Sequence, residues 1–408
     1  MLHSLWESLS HNLFKPLLLF FFMGFSIPLL GIAFEFPYVI YQGLTIYLLI
    51  GIGWHGGEEL ANLSTGELGQ AVIFMGVGFV SNLMIGILAF FILRTFTRLR
   101  RIDAATIASY YGSDSAGTFV TCVGVLNAAA ISFDAYMPVM LAIMEIPGCL
   151  IGILLAGSLR NRGMDAQGNM PGESGYNPST KPIIRMDHAQ QAQHVHLEKH
   201  AQDTELQKRL ALQHMEGLEP HGHGKQGHSP LNPELLKEVF LNPGLFLLFG
   251  GIAVGYLSRL QGHSVTKQED FFFGDMFRGV LCLFLLEMGI TASKRLRDLK
   301  SAGWAFILFG LLAPNMFAIF GIYTAHAYSL LTGVQLQLGT YVLFAVLSGS
   351  ASYIAMPAIQ RIAIHEASPS LPLAASLGLT FPYNVSIGIP LYIAVAKMIV
   401  VTSPVAGG

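Results

Sequence analysis

YGSDSAGTF, residues 111–119, sits inside an otherwise apolar run from 104 to 130, and SGSASYIAMP, residues 348–357, sits inside another from 338 to 364. Each places glycine and serine where a membrane-crossing helix would be most apolar. Unwound backbone is costly in hydrocarbon and survives only where protein covers it or water reaches it. The two stretches therefore read as helix breaks at an intramembrane site. A broken helix offers free N–H groups and a positive dipole end to an anion, and free C=O groups to a cation. Serine hydroxyls serve either. A single motif of this kind could serve helix packing alone; two at matching positions favour a site.

The composition around these motifs is that of a membrane protein. Of the 408 residues, 52% are hydrophobic and only 12% charged, against about 25% charged in a soluble domain. Runs long enough to span a bilayer occur at 16–34, 38–53, 68–93, 104–130 and 135–159, and again at 243–257, 272–291, 303–331, 338–364 and 371–401. Runs 38–53 and 243–257 are short for a span, and the last is long enough to be bent. The expectation is an all-α integral membrane protein of about ten transmembrane helices. Two five-helix halves, 1–159 and 243–408, flank a polar segment at 160–242. No basic face suits nucleic acid, and Met1 to Lys15 has no cleavable signal.

Lys and Arg fall mostly on one side of these spans: Arg94, Arg98, Arg100 and Arg101, then Lys294, Arg295, Arg297 and Lys300, then Arg361, with nine more in the polar segment. Cytoplasmic loops are the basic ones. The 160–242 segment is therefore expected in the cytosol and both termini outside the cytosol, in the inner (plasma) membrane. The segment itself is rich in Gln and His, and residues 164–181 read as linker. His194, His196 and His200, and His221, His223 and His228, are spaced for weak metal binding at most; a solvated tether is the better reading. No metal beyond Na⁺ and no cofactor is expected.

The halves resemble each other at an offset near 237 residues. GSDS at 112–115 lies opposite GSAS at 349–352, and helix lengths repeat in the same order. Five spans per half is odd, so the second half enters from the opposite side and the repeat is inverted. Inverted repeats with interrupted helices near the membrane midplane are the plan of many secondary transporters.

Intramembrane carboxylates are rare and functional. Asp114 lies in the first break and Glu145 in MEIPG, residues 144–148, beside a proline. Both are candidate cation ligands with Ser115, Ser348 and Ser352. Glu287 reads as structural, and Asn82, Asn315 and Asn384 as helix-to-helix hydrogen bonds. An enzyme reading finds no support: GSDS is not a G-x-S-x-G elbow, His326 has no accompanying motif, and His365-Glu366 lacks a second histidine at zincin spacing. Cys122, Cys149 and Cys282 read as packing residues.

At these motifs the chain resembles the sodium-dependent bicarbonate transporter family. The resemblance is carried by YGSDSAGTF, MEIPG, FRG at 277–279 with Met288-Gly289, SGSASYIAMP, and SLGLTFPYNVSIGIP at 376–390. It implies a moving core and a fixed gate (an elevator-like division), with broken fourth and ninth helices that cross in the core. It implies that bicarbonate, or a similar small monovalent anion, binds at those breaks: Gly112, Ser113, Ser115, Ala116, Gly117 and Thr118 in one, Ser350, Ala351, Ser352 and Tyr353 in the other. Na⁺ is the implied coupling ion. The family is trimeric, and some members are blocked by a PII-like cytosolic regulator. The best-known members carry Asp where this chain has Tyr353 and a neutral residue where it has Asp114. The expectation here is that the carboxylate has moved from one crossing helix to the other. Inward movement of an anion opposes a negative-inside potential by about 2.3 kcal/mol per charge per 100 mV, so Na⁺ coupling supplies the drive. A passive channel or exchanger on the same fold, and a membrane sensor using the His-rich segment, are the rival readings.

Overall fold

The computed structural model describes residues 16–180, 243–296 and 303–405. Among these, all regular structure is helical: α1 (Pro16–Leu29), α2 (Tyr38–Leu60), α3 (Thr65–Phe96), α4 (Arg101–Tyr111), α5 (Ala116–Ala128), α6 (Met137–Asn161), α7 (Pro243–Gln261), α8 (Met276–Arg295), α9 (Trp304–Thr332), α10 (Leu338–Gly349), α11 (Ala355–Ala363) and α12 (Ser370–Thr402). The helices α3, α6, α9 and α12 are each long and apolar enough to cross a membrane, and α1 and α10 are shorter apolar helices. The apolar runs at 104–130 and 338–364 each become two helices, α4 with α5 and α10 with α11, parted at the two glycine–serine stretches.

Local chemistry sets several boundaries. The Ser64 side chain accepts from the Glu67 N–H and Glu67 reaches back to the Ser64 N–H, a capping box that starts α3. The run expected at 38–53 continues as helix to Leu60. Two π-helical stretches, Ala374–Thr380 and Asn384–Gly388, interrupt the regular winding of α12 on either side of Pro382.

Helices α1 and α8 pack together, as do α2 and α7. Glycines make both contacts close. A methyl on Gly24 or Gly289 would run into the opposing backbone of α8 or α1, and one on Gly53, Gly57, Gly251 or Gly255 would do the same between α2 and α7. Lipid gives helices little hydrophobic reason to associate, so close backbone packing of this kind carries the contact.

One end of the molecule is closed by a polar clasp. Arg160 on α6 makes a two-pronged pair with Glu366, donating from Nε at 2.8 Å and from Nη2 at 2.7 Å. Arg100 donates to Asp103 and to the carbonyl of Gln167, and Asp103 accepts from the Ser368 N–H. Residues 164–180, expected as linker, are part of this clasp. Met164 and Met170 are buried. The Asp165 carboxylate gathers the backbone N–H groups of Gln167, Asn169 and Asn177. Gly168, at φ +85°, sits so close to the Glu366 carbonyl that no side chain would fit. The polar composition suggested a tether because such groups usually seek water; here they satisfy one another. The six loop histidines named above lie outside the described residues.

Burial works to raise the Glu366 pKa, yet the bonds from Arg160 hold its carboxyl below the ordinary range. A depressed folded-state pKa means stabilisation that is present at neutral pH and disappears as pH falls through the lowered value. Glu366→Gln should lower the thermal stability of the detergent-solubilised protein at pH 7 by roughly 1.5–3 kcal/mol, the worth of a hydrogen bond to a charged group. The gap between wild type and variant should narrow below about pH 4, where a carboxylate is protonated in the unfolded chain. Melting curves at both pH values check this.

Candidate functional site

The breaks meet. The Ser352 N–H donates to the Tyr110 carbonyl at 2.8 Å, so the last turn of α4 is held by the second break. Tyr110 OH donates to Gln360 of α11 at 2.7 Å. Tyr353, from the second break, lays its hydroxyl against Gly117 in the first turn of α5, where any side chain would overlap it. The same hydroxyl faces Ser115 without a hydrogen bond of good geometry. Phe284 of α8 also borders Gly117, and Phe381 packs edge-on against Tyr353.

The helix ends at this crossing are not treated alike. At the carbonyl ends, Tyr110 O is taken by Ser352, and Gly349 O accepts from Asn384 Nδ2 at 2.9 Å. At the amide ends, Ser115 Oγ accepts from the Thr118 N–H at 3.2 Å and from Thr118 Oγ1 at 2.9 Å. Ser352 Oγ accepts from the Met356 N–H at 3.3 Å. A hydroxyl that accepts still has its own hydrogen to give. Ser115 and Ser352 therefore each extend a helix N-terminus outward as a donor. The N–H groups of Ala116 and Gly117 make no hydrogen bond among the described residues, as expected in a first helical turn. Capped carbonyls and donating amide ends together favour an anion.

Other expected site residues take different places. Ser350 donates to the Leu347 carbonyl at 3.4 Å, so its hydrogen is already directed at its own helix. Ser348 Oγ lies against Gly321 of α9 rather than in the crossing. Ser113 packs against Gly148 of α6. Gly112 approaches Gly86 of α3, and a methyl on it would stand 3.0 Å from that backbone. Ala351 is buried with the second core cluster.

Asp114 is buried, and neither of its carboxylate oxygens has a hydrogen-bond partner among the described residues. Glu145 of α6 lies within electrostatic reach. Its face lies between Pro138, packed on Gly56 of α2, and Gly148, packed on the first break. Glu145 is half-buried, one turn before Gly148 on the face of α6 that meets the first break.

The intramembrane asparagines bond as expected. Asn82 Nδ2 donates to the Met144 carbonyl of α6 at 2.7 Å, and Asn315 accepts from Tyr383 OH. Asn384 is more than a packing bond, since it caps the carbonyl end of α10 and is itself held by Tyr392. Nothing local marks that role; only the fold brings α12 to Gly349. Glu287 accepts from Thr291 one turn along α8. The three cysteines are buried and unpaired.

Broken helices that meet in the interior of a helical membrane protein are a plan shared by many secondary transporters. The chain belongs to the Na⁺-dependent bicarbonate transporter superfamily, whose family model matches residues 16–397, nearly its whole length. Comparison with curated proteins finds no significant match.

Proposed function

We propose that this chain is a secondary transporter that carries bicarbonate, or a similar small monovalent anion, into the cell by symport with Na⁺. The observation that carries the reading is the pairing of donating amide ends, Ser115 with Thr118 and Ser352 with Met356, beside capped carbonyl ends. The anion sits there, against Gly117 and Tyr353. Na⁺ sits on the far side of the first break with Asp114 and Glu145. Its charge offsets those carboxylates, which would be costly unpartnered in so apolar a setting.

The architecture follows as about ten transmembrane helices in two inverted five-helix repeats. Exchanging the halves turns the α1–α8 pair into the α7–α2 pair, and both pairs are present. The pairs form the gate, and the broken helices with α3, α6, α9 and α12 form the moving core. The polar clasp lies on the cytosolic side, with both termini outside the cytosol. A homotrimer and a PII-like cytosolic regulator belong to the same reading.

Uptake of labelled bicarbonate into proteoliposomes tests it. An inward Na⁺ gradient should drive accumulation, and replacing Na⁺ by K⁺ should abolish it; Na⁺-independent equilibration would mark a channel. Asp114→Asn should shift Na⁺ activation to higher concentration while leaving the rate at saturating Na⁺ much less affected. An unchanged activation curve in correctly folded Asp114→Asn would remove the carboxylate from cation coupling.

A further inference from the structure

Asn82 of α3 borders both the first break and the turn of α6 that carries Glu145. Its backbone carbonyl borders Gly112, and its Nδ2 donates to the carbonyl of Met144, the residue before Glu145. A carbonyl can accept only from the amide nitrogen, so this bond fixes which way the group points. Oδ1 is turned away from Met144 and has no partner among the described residues, although Asn82 is fully buried. Ser113 Oγ is in the same condition, fully buried and unpartnered. It is held beside α6 because Ser113 packs on Gly148, three residues beyond Glu145.

Three elements thus bring oxygens to neighbouring positions: unsatisfied Asn82 Oδ1 from α3, unsatisfied Ser113 Oγ and both Asp114 oxygens from the first break, and beside them the Glu145 carboxylate from α6. A buried polar atom left without a partner costs about 1–3 kcal/mol, and four such atoms in one region call for a common ligand. The set contains oxygen and no sulfur or imidazole nitrogen, the donor type that hard cations take. Its formal charge is negative, which suits a cation and repels the anion bound at the other face of the break.

We propose that Asn82 Oδ1 and Ser113 Oγ are the neutral ligands of the Na⁺ site, completing with Asp114 and Glu145 an oxygen cradle between α3, the first break and α6. The inference rests on the sodium reading of Asp114 and Glu145, and adds α3 as a wall of the site. The cradle does not include Ser348, which faces α9. The break then separates the two solutes: anion on the α5 and α11 amide ends, cation on the α3 and α6 side. Movement of one backbone segment is felt by both.

The test reads Na⁺ binding without transport. The full chain in detergent, free of bicarbonate, is titrated with NaCl or with choline chloride, and the Na⁺-specific rise in melting temperature is followed. Wild type should respond to Na⁺ and not to choline. Asn82→Ala should need roughly tenfold more Na⁺ for the same response, as should Ser113→Ala, which removes only an unpartnered hydroxyl and is the milder change for folding. Asn82→Asp keeps an oxygen and loses the bond to Met144, so it should start from a lower melting temperature yet keep its Na⁺ response. A purely structural asparagine gives the opposite pattern, with Asp no better than Ala. The proposal is overturned if Asn82→Ala and Ser113→Ala respond to Na⁺ at wild-type concentrations, or if Asn82→Asp loses the response as Asn82→Ala does. A wild type that answers Na⁺ and choline alike overturns the sodium reading itself, and this proposal with it.

Discussion

Gly148→Ala should leave far less folded protein in the membrane than wild type. The position looks minor, a glycine after a proline in an apolar helix, but it is where α6 presses on the first break. A methyl there would overlap the Ser109 carbonyl and the Ser113 amide, both backbone atoms, as well as the Ser113 Cβ. Backbone of a neighbouring helix cannot swing aside as a long side chain can, so α6 must move off α4. Such overpacking costs about 1–3 kcal/mol, a large share of a marginal stability. The displacement would also draw Glu145 away from Asp114 and loosen the α4 end that Ser352 holds. The yield of monodisperse protein after detergent extraction, with its melting temperature, measures the effect. Wild-type values for both would mean that α6 and the break are farther apart than described.

Ser115→Ala should abolish or strongly impair transport while sparing expression. Two losses coincide in this hydroxyl. As the N-cap of α5 it accepts from the Thr118 N–H, and removing a serine cap costs about 1 kcal/mol. As a donor, polarised by the two bonds it accepts from Thr118, it is placed to bind an anion. A hydrogen bond to a charged group is worth roughly 1.5–3 kcal/mol, or about 10- to 150-fold in affinity. Ser115→Thr keeps both roles and should recover most of the rate. Ser350→Ala should do less harm than the sequence suggests, because Ser350 already donates to Leu347. Uptake per correctly folded transporter, in all three variants, orders them. Equal rates in Ser115→Ala and wild type would move the anion away from α5.

Much of this architecture is legible in the chain itself, because the bilayer restricts what each stretch can be. Apolar runs of about twenty residues must be helices there, and each run named from the sequence overlaps a helix, although α1 stops at Leu29, short of its run, and two runs are each split in two. The two places where a run cannot continue, 112–115 and 350–354, are set by the same rule. So were Asp114 and Glu145, since carboxylates in such runs are exceptional. The short run at 38–53 was underestimated because its polar last turns, His55 to Leu60, are helix that hydropathy does not register. Residues 164–180 were misread because composition reports affinity for water and says nothing of whether Asp165 can collect three N–H groups from its own chain.

What the sequence by itself determined is which residues are candidates: two glycine–serine breaks, two intramembrane carboxylates, and the helices that carry them. Which of those candidates lie near one another was decided only by the tertiary structure. Four serines look alike in sequence, yet Ser115 caps α5, Ser352 accepts from the first turn of α11, Ser350 donates to the Leu347 carbonyl, and Ser348 faces Gly321. The physical reason is that a hydroxyl's role depends on which direction its hydrogen and lone pairs point. That direction is set by the neighbouring helices, among them α6 and α12, whose contacts with the breaks lie 28 residues or more away along the chain.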